Sequence, residues 1–80
     1  MRLDKFLKVS RLIKRRTVAN SVADQGRIYV NDVLAKPAKQ LKTDDIIKIE
    51  QFNKTVCVRV VKIPTGNISV QEASSLYEEL

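Results

Sequence analysis

The chain contains no histidine and a single cysteine, Cys57, among its 80 residues. A lone cysteine cannot close an intrachain disulfide, and without histidine a zinc or other soft-metal site has almost no ligands. Cys57 also has no imidazole to activate it as a nucleophile; within an apolar run it is expected to be a small buried core residue. No metal and no cofactor are expected. Long hydrophobic runs are missing too. The longest apolar stretch is far below the roughly 20 residues of a membrane span. The basic start MRLDKFLKVS is not followed by the apolar segment of a signal peptide. A cytoplasmic location with no membrane partner is the expectation.

Eighty residues suit one domain. A chain this short buries only about 60–65% of the surface that its unfolded form exposes. That is enough to pack helices on a small sheet and too little to wall off a deep catalytic pocket, so an enzyme is not expected. Asp44-Asp45, the one adjacent carboxylate pair outside the tail, sits in a turn-like context after Thr43 and is read as turn. The 44% hydrophobic content suffices for a packed core.

Charge is what the chain has in excess. The net charge is +6 and the sequence pI about 9.8, a balance that suits a polyanion: nucleic acid first, an anionic membrane surface second. Its distribution is uneven. Residues 1–27 carry eight Lys or Arg against Asp4 and Asp24, whereas residues 64–80 carry three Glu and no Lys or Arg. A dispersed cationic face would serve solubility alone. Concentration in one third of the chain argues for a binding surface.

Periodicity places these charges on elements. Leu3, Phe6 and Leu7 recur at helical spacing, with Lys5 and Lys8 opposite, predicting a helix over 3–9. Leu12 and Ile13 are expected to anchor the joint that follows. Thr17 is expected to cap a second helix over 18–25, with Val18, Ala19, Val22 and Ala23 on one apolar face. Gly26 supplies the positive φ that commonly ends a helix. The period then changes to two. Ile28 and Val30 lead into an Asn31-Asp32 turn, and strands are predicted over 46–52 and 55–63, the second rich in β-branched residues. Pro37 argues against a long strand over 36–40. Ser69 and Glu72 form a capping box, which predicts an acidic helix over 70–79 with Ala73, Leu76 and Leu80 on its apolar side.

The arrangement of helix, basic joint, second helix and hairpin makes a phosphate reader. Guanidiniums at Arg11, Arg15 and Arg16 can grip phosphate oxygens bidentately, with free N–H groups at the start of the second helix aimed the same way. Arg2, Lys5, Lys8 and Lys14 extend the positive surface. Tyr29 is placed to stack on a base or to pack at the sheet edge.

The string RLDKFLKVSRLIKRRTVAN, followed by ADQGRIYVNDVLAKPAKQLKTDDIIKI, resembles the S-four RNA-binding domain, named after the fourth small-subunit ribosomal protein. Its elements stand here as Arg2-Leu3-Asp4-Lys5, Arg15-Arg16-Thr17, Gly26 to Asp32, and Asp45-Ile46. Asp32 departs from the glycine usual at that turn position. The resemblance covers about residues 1–63 and implies an α+β fold: two short helices on a small antiparallel sheet, here with 64–80 as an acidic, helical extension. It further implies RNA binding through Arg2, Lys5, Lys8, Arg11, Lys14, Arg15, Arg16, Thr17, Arg27 and Asn31.

Most members append this module to larger proteins, and a partner enzyme in trans would be one use of it alone. The match in length, start and KRRTVAN string is with free-standing short forms that act in ribosome-associated quality control. That implies large-subunit rRNA and P-site peptidyl-tRNA as partners, with the protein RqcH, which adds untemplated alanines to stalled chains. Heat-shock-type relatives that act on the large subunit are the alternative. A monomer is expected.

Overall fold

The helical spacing of Leu3, Phe6 and Leu7 is realised as α1 (Leu3–Val9), whose three apolar side chains are fully buried. In the computed structural model, which describes residues 1–51, 53–66 and 68–80, α1 is followed by α2 (Arg16–Asp24), β1 (Ile28–Val30), β2 (Val33–Leu34), β3 (Ile46–Gln51) and β4 (Lys54–Val60). The chain closes with a single helical turn α3 (Val70–Ala73), a 3-10 turn (Ser74–Leu76) and β5 (Tyr77–Glu79). Phe52, at the end of the strand expected over 46–52, lies outside the described residues.

All strand pairs are antiparallel, in the order β2-β1-β3-β4-β5. Alternation sorts their side chains. Ile28, Val30, Ile47, Ile49, Val58 and Val60 are buried and join Leu3, Phe6, Leu7, Ile13, Ala19 and Ala23 of the helical layer in one core. Tyr29, Lys48, Cys57 and Arg59 stand on the opposite face of the sheet. There Lys48 Nζ lies 4.7 Å from the centroid of the Tyr29 ring, so Tyr29 is packed under a cation at the sheet surface. Cys57 is half-buried rather than a core residue. Its neighbours Val56 and Val58 point inward, and the period of two leaves Cys57 on the outer face.

The hairpin between β1 and β2 turns on Asn31 and Asp32, both with positive φ (53° and 66°), the conformation that a two-residue turn of this hand demands. β2 ends before Pro37. The loop beyond it returns to the start of α1: Leu3 N–H donates to Lys39 O (2.8 Å), Asp4 N–H to Pro37 O (3.1 Å), and Leu41 N–H to Met1 O (2.9 Å). The first two backbone donors of α1, those of Leu3 and Asp4, are thus satisfied by tertiary contacts.

The acidic extension departs from the helix expected over 70–79. Ser69 caps as expected, its Oγ accepting from Glu72 N–H at 3.2 Å, but helix persists only to Ala73 before the 3-10 turn. A short isolated helix is marginal, and the free edge of β4 offers a better use for the backbone of 77–79. β5 pairs there, Val61 N–H donates to Leu76 O (2.8 Å), and Leu80 N–H donates to Cys57 O (2.9 Å). Arg59 clips the junction, with Nη2 3.2 Å from Glu78 and Nη1 2.6 Å from Asp44. Ala73 and Leu76 are buried as expected, whereas Leu80 is 64% exposed. Leu76→Ala is therefore expected to destabilise the fold by about 2–4 kcal/mol, and Leu80→Ala to leave it unchanged. Thermal denaturation of the two variants reads both.

Candidate RNA interface

The ten candidate residues divide into groups that the chain order does not reveal. Arg2 and Arg16 converge on Asp4. Arg2 Nε and Nη2 donate to the two carboxylate oxygens at 3.2 Å each, and Arg16 Nε lies 3.5 Å from Oδ2. Asn20 Nδ2 donates to the same Oδ2 at 3.2 Å, and Lys5 N–H to Oδ1 at 2.8 Å. Asp4 is 2% exposed, while the two arginine side chains are 44% and 47% exposed. A buried carboxylate thus holds two guanidiniums by one edge, leaving their other donors at the surface. Burial alone would push the Asp4 carboxyl up. The hydrogen bonds from Asn20, Arg2 and Arg16, with the field of Arg16, outweigh it and hold Asp4 below its usual value. Thr17 borders the same recess.

Asp4 and Asn20 complete this cluster, and sequence reasoning named neither as a candidate site residue. Asp4 reads locally as a favourable acid in a first helical turn, and Asn20 as a neutral surface residue. The available signal was an acid at the flank of α1 among eight nearby cations.

Thr17 does not cap α2. The helix begins at Arg16, the cap position is Arg15 in extended conformation, and no side chain bonds the first turn. The start is set instead by packing against α1, where Arg16 and Asn20, one turn apart, both reach Asp4. Val18, expected on the buried face, is 46% exposed. It borders a groove of about 510 Å3 between α2 and the end of β3 that also takes in Thr17, Val22, Arg27 and Glu50. Arg27 thus borders this groove, whereas Arg2 and Arg16 border the recess at Asp4, with Thr17 common to both. Arg15 is exposed at the joint.

A second group comprises Lys5, Lys8, Arg11 and Lys14. All four border a cleft of about 310 Å3 whose opposite wall is Gly66, Ile68, Ser69 and Val70. None of the four is ion-paired among the described residues. Arg11 takes φ 62°, a left-handed conformation that costs a non-glycine residue about 1 kcal/mol.

Asn31 stands apart. Its Nδ2 donates to Asp45 Oδ1 (3.0 Å) and its Oδ1 accepts from Ile46 N–H (2.9 Å), tying the hairpin turn to the start of β3. Asp45 in turn accepts from Lys42 N–H at 2.9 Å. Both ends of the Asn31 amide are engaged within the protein.

No cluster of potential metal ligands occurs among the described residues, and none of their helices is long and apolar enough to cross a membrane.

Comparison with known proteins agrees with this arrangement. Residues 1–47 match the S4 domain model. The chain is 50% identical, over 98% of its length and 88% of the relative's, to a Streptococcus pneumoniae protein named RQC P-site tRNA stabilizing factor. A Bacillus subtilis protein of the same name is 48% identical over 96% of this chain and 88% of its own. Among solved structures, trimeric heat shock protein 15 of Vibrio cholerae superposes with a TM-score of 0.89 at 30% identity, covering all of this chain and 81% of that one. With helices, hairpin and sheet laid out as that match requires, the chain belongs to the S4 domain family, among the short proteins named RQC P-site tRNA stabilizing factors.

Proposed function

We propose that this protein is an RNA-binding factor of ribosome-associated quality control. In this reading it binds large-subunit rRNA and stabilises peptidyl-tRNA in the P site of obstructed subunits, supporting RqcH-directed alanine tailing of the stalled chain. It acts by binding, with no catalysis of its own, and works in the cytoplasm on the ribosome.

The observation that carries the proposal is the pair of half-exposed guanidiniums held on buried Asp4. A guanidinium oriented beforehand loses less entropy when it grips a phosphate, and its planar fork matches the phosphate oxygens. The names borne by relatives that match almost the whole chain supply the setting. The remaining cations, Lys5, Lys8, Arg11, Lys14, Arg15 and Arg27, add sequence-independent attraction to the backbone. Thr17 borders the Arg2–Arg16 recess, and Asn31 contributes by shaping the hairpin. If about five cations meet phosphates, log affinity falls with log salt at a slope of roughly −3.5 to −4.5.

The test is sedimentation of a tagged full-length chain from lysate through a sucrose gradient, probing each fraction for the protein and for tRNA. Co-migration with free large subunits that carry tRNA is expected. Protein at the top of the gradient, or spread over all nucleic acid, would overturn the assignment.

A second reading, a heat-shock-type factor that recycles the large subunit, is favoured by the likeness to heat shock protein 15. It predicts co-sedimentation independent of RqcH. The Vibrio protein is titled trimeric; this chain is proposed to act as a monomer of 9.1 kDa, a mass that sedimentation equilibrium reads directly.

A further inference from the structure

The groove between α2 and the end of β3 takes no part in the grip on phosphate, yet it adjoins it. In an α-helix each residue advances by about 100°, so residues four apart share a row. Ala19 and Ala23 of α2 are buried. Round the side away from them three rows follow one another: Arg16 with Asn20, then Thr17 with Ser21 and Gln25, then Val18 with Val22. The first row closes on Asp4. The second and third border the groove. Thr17 borders both the groove and the recess at Asp4. The two sites therefore lie about one helix width, roughly 10 Å, apart, within reach of neighbouring nucleotides of one strand.

What borders the groove suits neither a phosphate nor a wholly apolar group. Val18 is 46% exposed and, with Val22, gives the groove an apolar wall that is better covered than wetted. Arg27 and Glu50 place one charge of each sign beside it, so the groove lacks the net positive charge of the recess, and the Glu50 carboxylate repels an anion. Short polar groups complete the border: the hydroxyls of Thr17 and Ser21 and the amides of Gln25 and Gln51. Gln25 Nε2 donates to Ser21 Oγ at 3.2 Å, which leaves its second N–H and its carbonyl oxygen available. Among the described residues the side chains of Thr17, Glu50 and Gln51 have no hydrogen-bond partner. A flat, uncharged ring with donors and acceptors along its edge matches both halves of this lining. Its faces cover the valines and its edge meets the amides. The groove volume of about 510 Å3 falls within the range of about 300–1,000 Å3 common for small-ligand pockets.

We propose that the groove takes one unpaired nucleobase of the RNA whose backbone is held at Arg2 and Arg16. This deepens the RNA-binding reading above and rests on it. The recess at Asp4 meets phosphate, which every nucleotide carries, whereas the groove meets a base edge. It therefore selects RNA with an unpaired base close to the gripped phosphate over a continuous duplex. A base in a loop or bulge is already unstacked, so moving it into the groove costs little. Glu50 accepts from its amino or ring N–H groups, and Gln25 and Gln51 donate or accept as the edge requires. The two sites differ in their response to salt: the cations of the recess supply a salt-dependent attraction, the neutral groove a salt-independent one.

The experiment uses the full-length chain and an RNA stem-loop whose unpaired loop holds all four bases, beside the same stem-loop with every loop residue abasic. Affinity is measured over a series of salt concentrations. The parent is expected to bind the intact loop about five- to tenfold more tightly than the abasic one, with the same salt slope. Ser21→Leu fills the groove from an exposed helix position. It is expected to melt like the parent, to bind the intact loop no better than the abasic one, and to keep the slope. Val18→Ser strips part of the apolar wall and is expected to weaken binding of the intact loop by about two- to threefold. Arg16→Gln is expected to weaken both RNAs alike and to lower the slope by about 0.7–0.9. Methyl resonances of Val18 and Val22 are expected to shift with the intact loop and to stay still with the abasic one. A parent that does not favour the intact loop, whether it binds both RNAs or neither, removes the groove as a base site; the RNA-binding reading then stands or falls on its affinity for tRNA. A Ser21→Leu chain that binds the intact loop like the parent yet loses large subunits would make the groove a protein contact and would equally overturn the proposal.

Discussion

Arg16→Ala is expected to weaken association with large ribosomal subunits roughly ten- to a hundredfold while moving the melting temperature by only a few degrees. The binding loss follows from removing one guanidinium whose charge-assisted contacts to phosphate are worth about 1.5–3 kcal/mol. The stability change is small because Arg16 is a peripheral partner of Asp4. Its Nε is 3.5 Å from the carboxylate and its side chain is half exposed, a geometry that contributes less than about 1 kcal/mol. Asp4 keeps both bonds from Arg2, the bond from Asn20 and that from Lys5 N–H. Arg16→Lys separates charge from shape. A lysine restores attraction but not the planar fork, so it should recover part of the affinity and most of the salt dependence. Co-sedimentation and filter binding measure the first effect, and a thermal melt the second. An Arg16→Ala protein that binds subunits as tightly as the parent would remove the guanidinium pair as the interface.

Asp4→Ala is expected to act on both fold and binding. The carboxylate accepts from two arginines, one asparagine and one backbone amide, and its loss leaves those donors without their shared acceptor. Breaking a buried ion pair by deleting one member commonly costs about 3–5 kcal/mol, chiefly because the survivor is left buried. Here the surviving cations reach solvent, so about 2–3 kcal/mol is the better figure. In a chain of this size that corresponds to roughly 8–24 °C in melting temperature. Asp4→Asn retains volume and part of the bonding and should cost less, yet it releases Arg2 and Arg16 from their common anchor. Binding should fall in both variants even at temperatures where each is folded.

The pH dependence carries the same signature. Because the folded carboxyl lies below its unfolded value of about 3.9, its contribution is fully present above that pH. It is lost as the pH falls through the folded value. Acid titration of the parent should therefore show a loss of stability below about pH 4 that is shallower in Asp4→Asn. Parallel curves for the two proteins would mean that Asp4 does not hold the arginines in solution as it does in the structure.

Much of this molecule follows from local rules. The spacing of Leu3, Phe6 and Leu7 commits residues 3–9 to a helix whatever lies beyond, because no other conformation puts three apolar side chains on one face at those intervals. Asn31-Asp32 between short apolar runs requires a two-residue turn, since few residue pairs tolerate two consecutive positive φ angles. The charge asymmetry between the two ends of the chain is likewise a property of the string, and with it the class of partner. Two expectations that departed from the structure share one cause: the start of α2 and the conformation of the tail were each decided by a contact between residues far apart in the chain. α2 starts at Arg16 with no side-chain cap from Thr17, at the turn where Arg16 and Asn20 both reach Asp4 of α1. Residues 77–79 become a strand because β4 has a free edge, which no window over 70–79 can register.

By itself, then, the sequence determined the first helix, the hairpin turn and the two long strands, the α+β class, the S4 resemblance and the strongly cationic N-terminal third. Only the tertiary structure decided how that charge is divided. It set Arg2 and Arg16 on a buried Asp4 at one flank of α1 and turned Lys5, Lys8, Arg11 and Lys14 toward the extension at the other. The physical reason is one of range. Helix periodicity and turn geometry act over a few residues, whereas a buried carboxylate selects its partners by position in space, here Arg2 two residues away and Asn20 sixteen residues away.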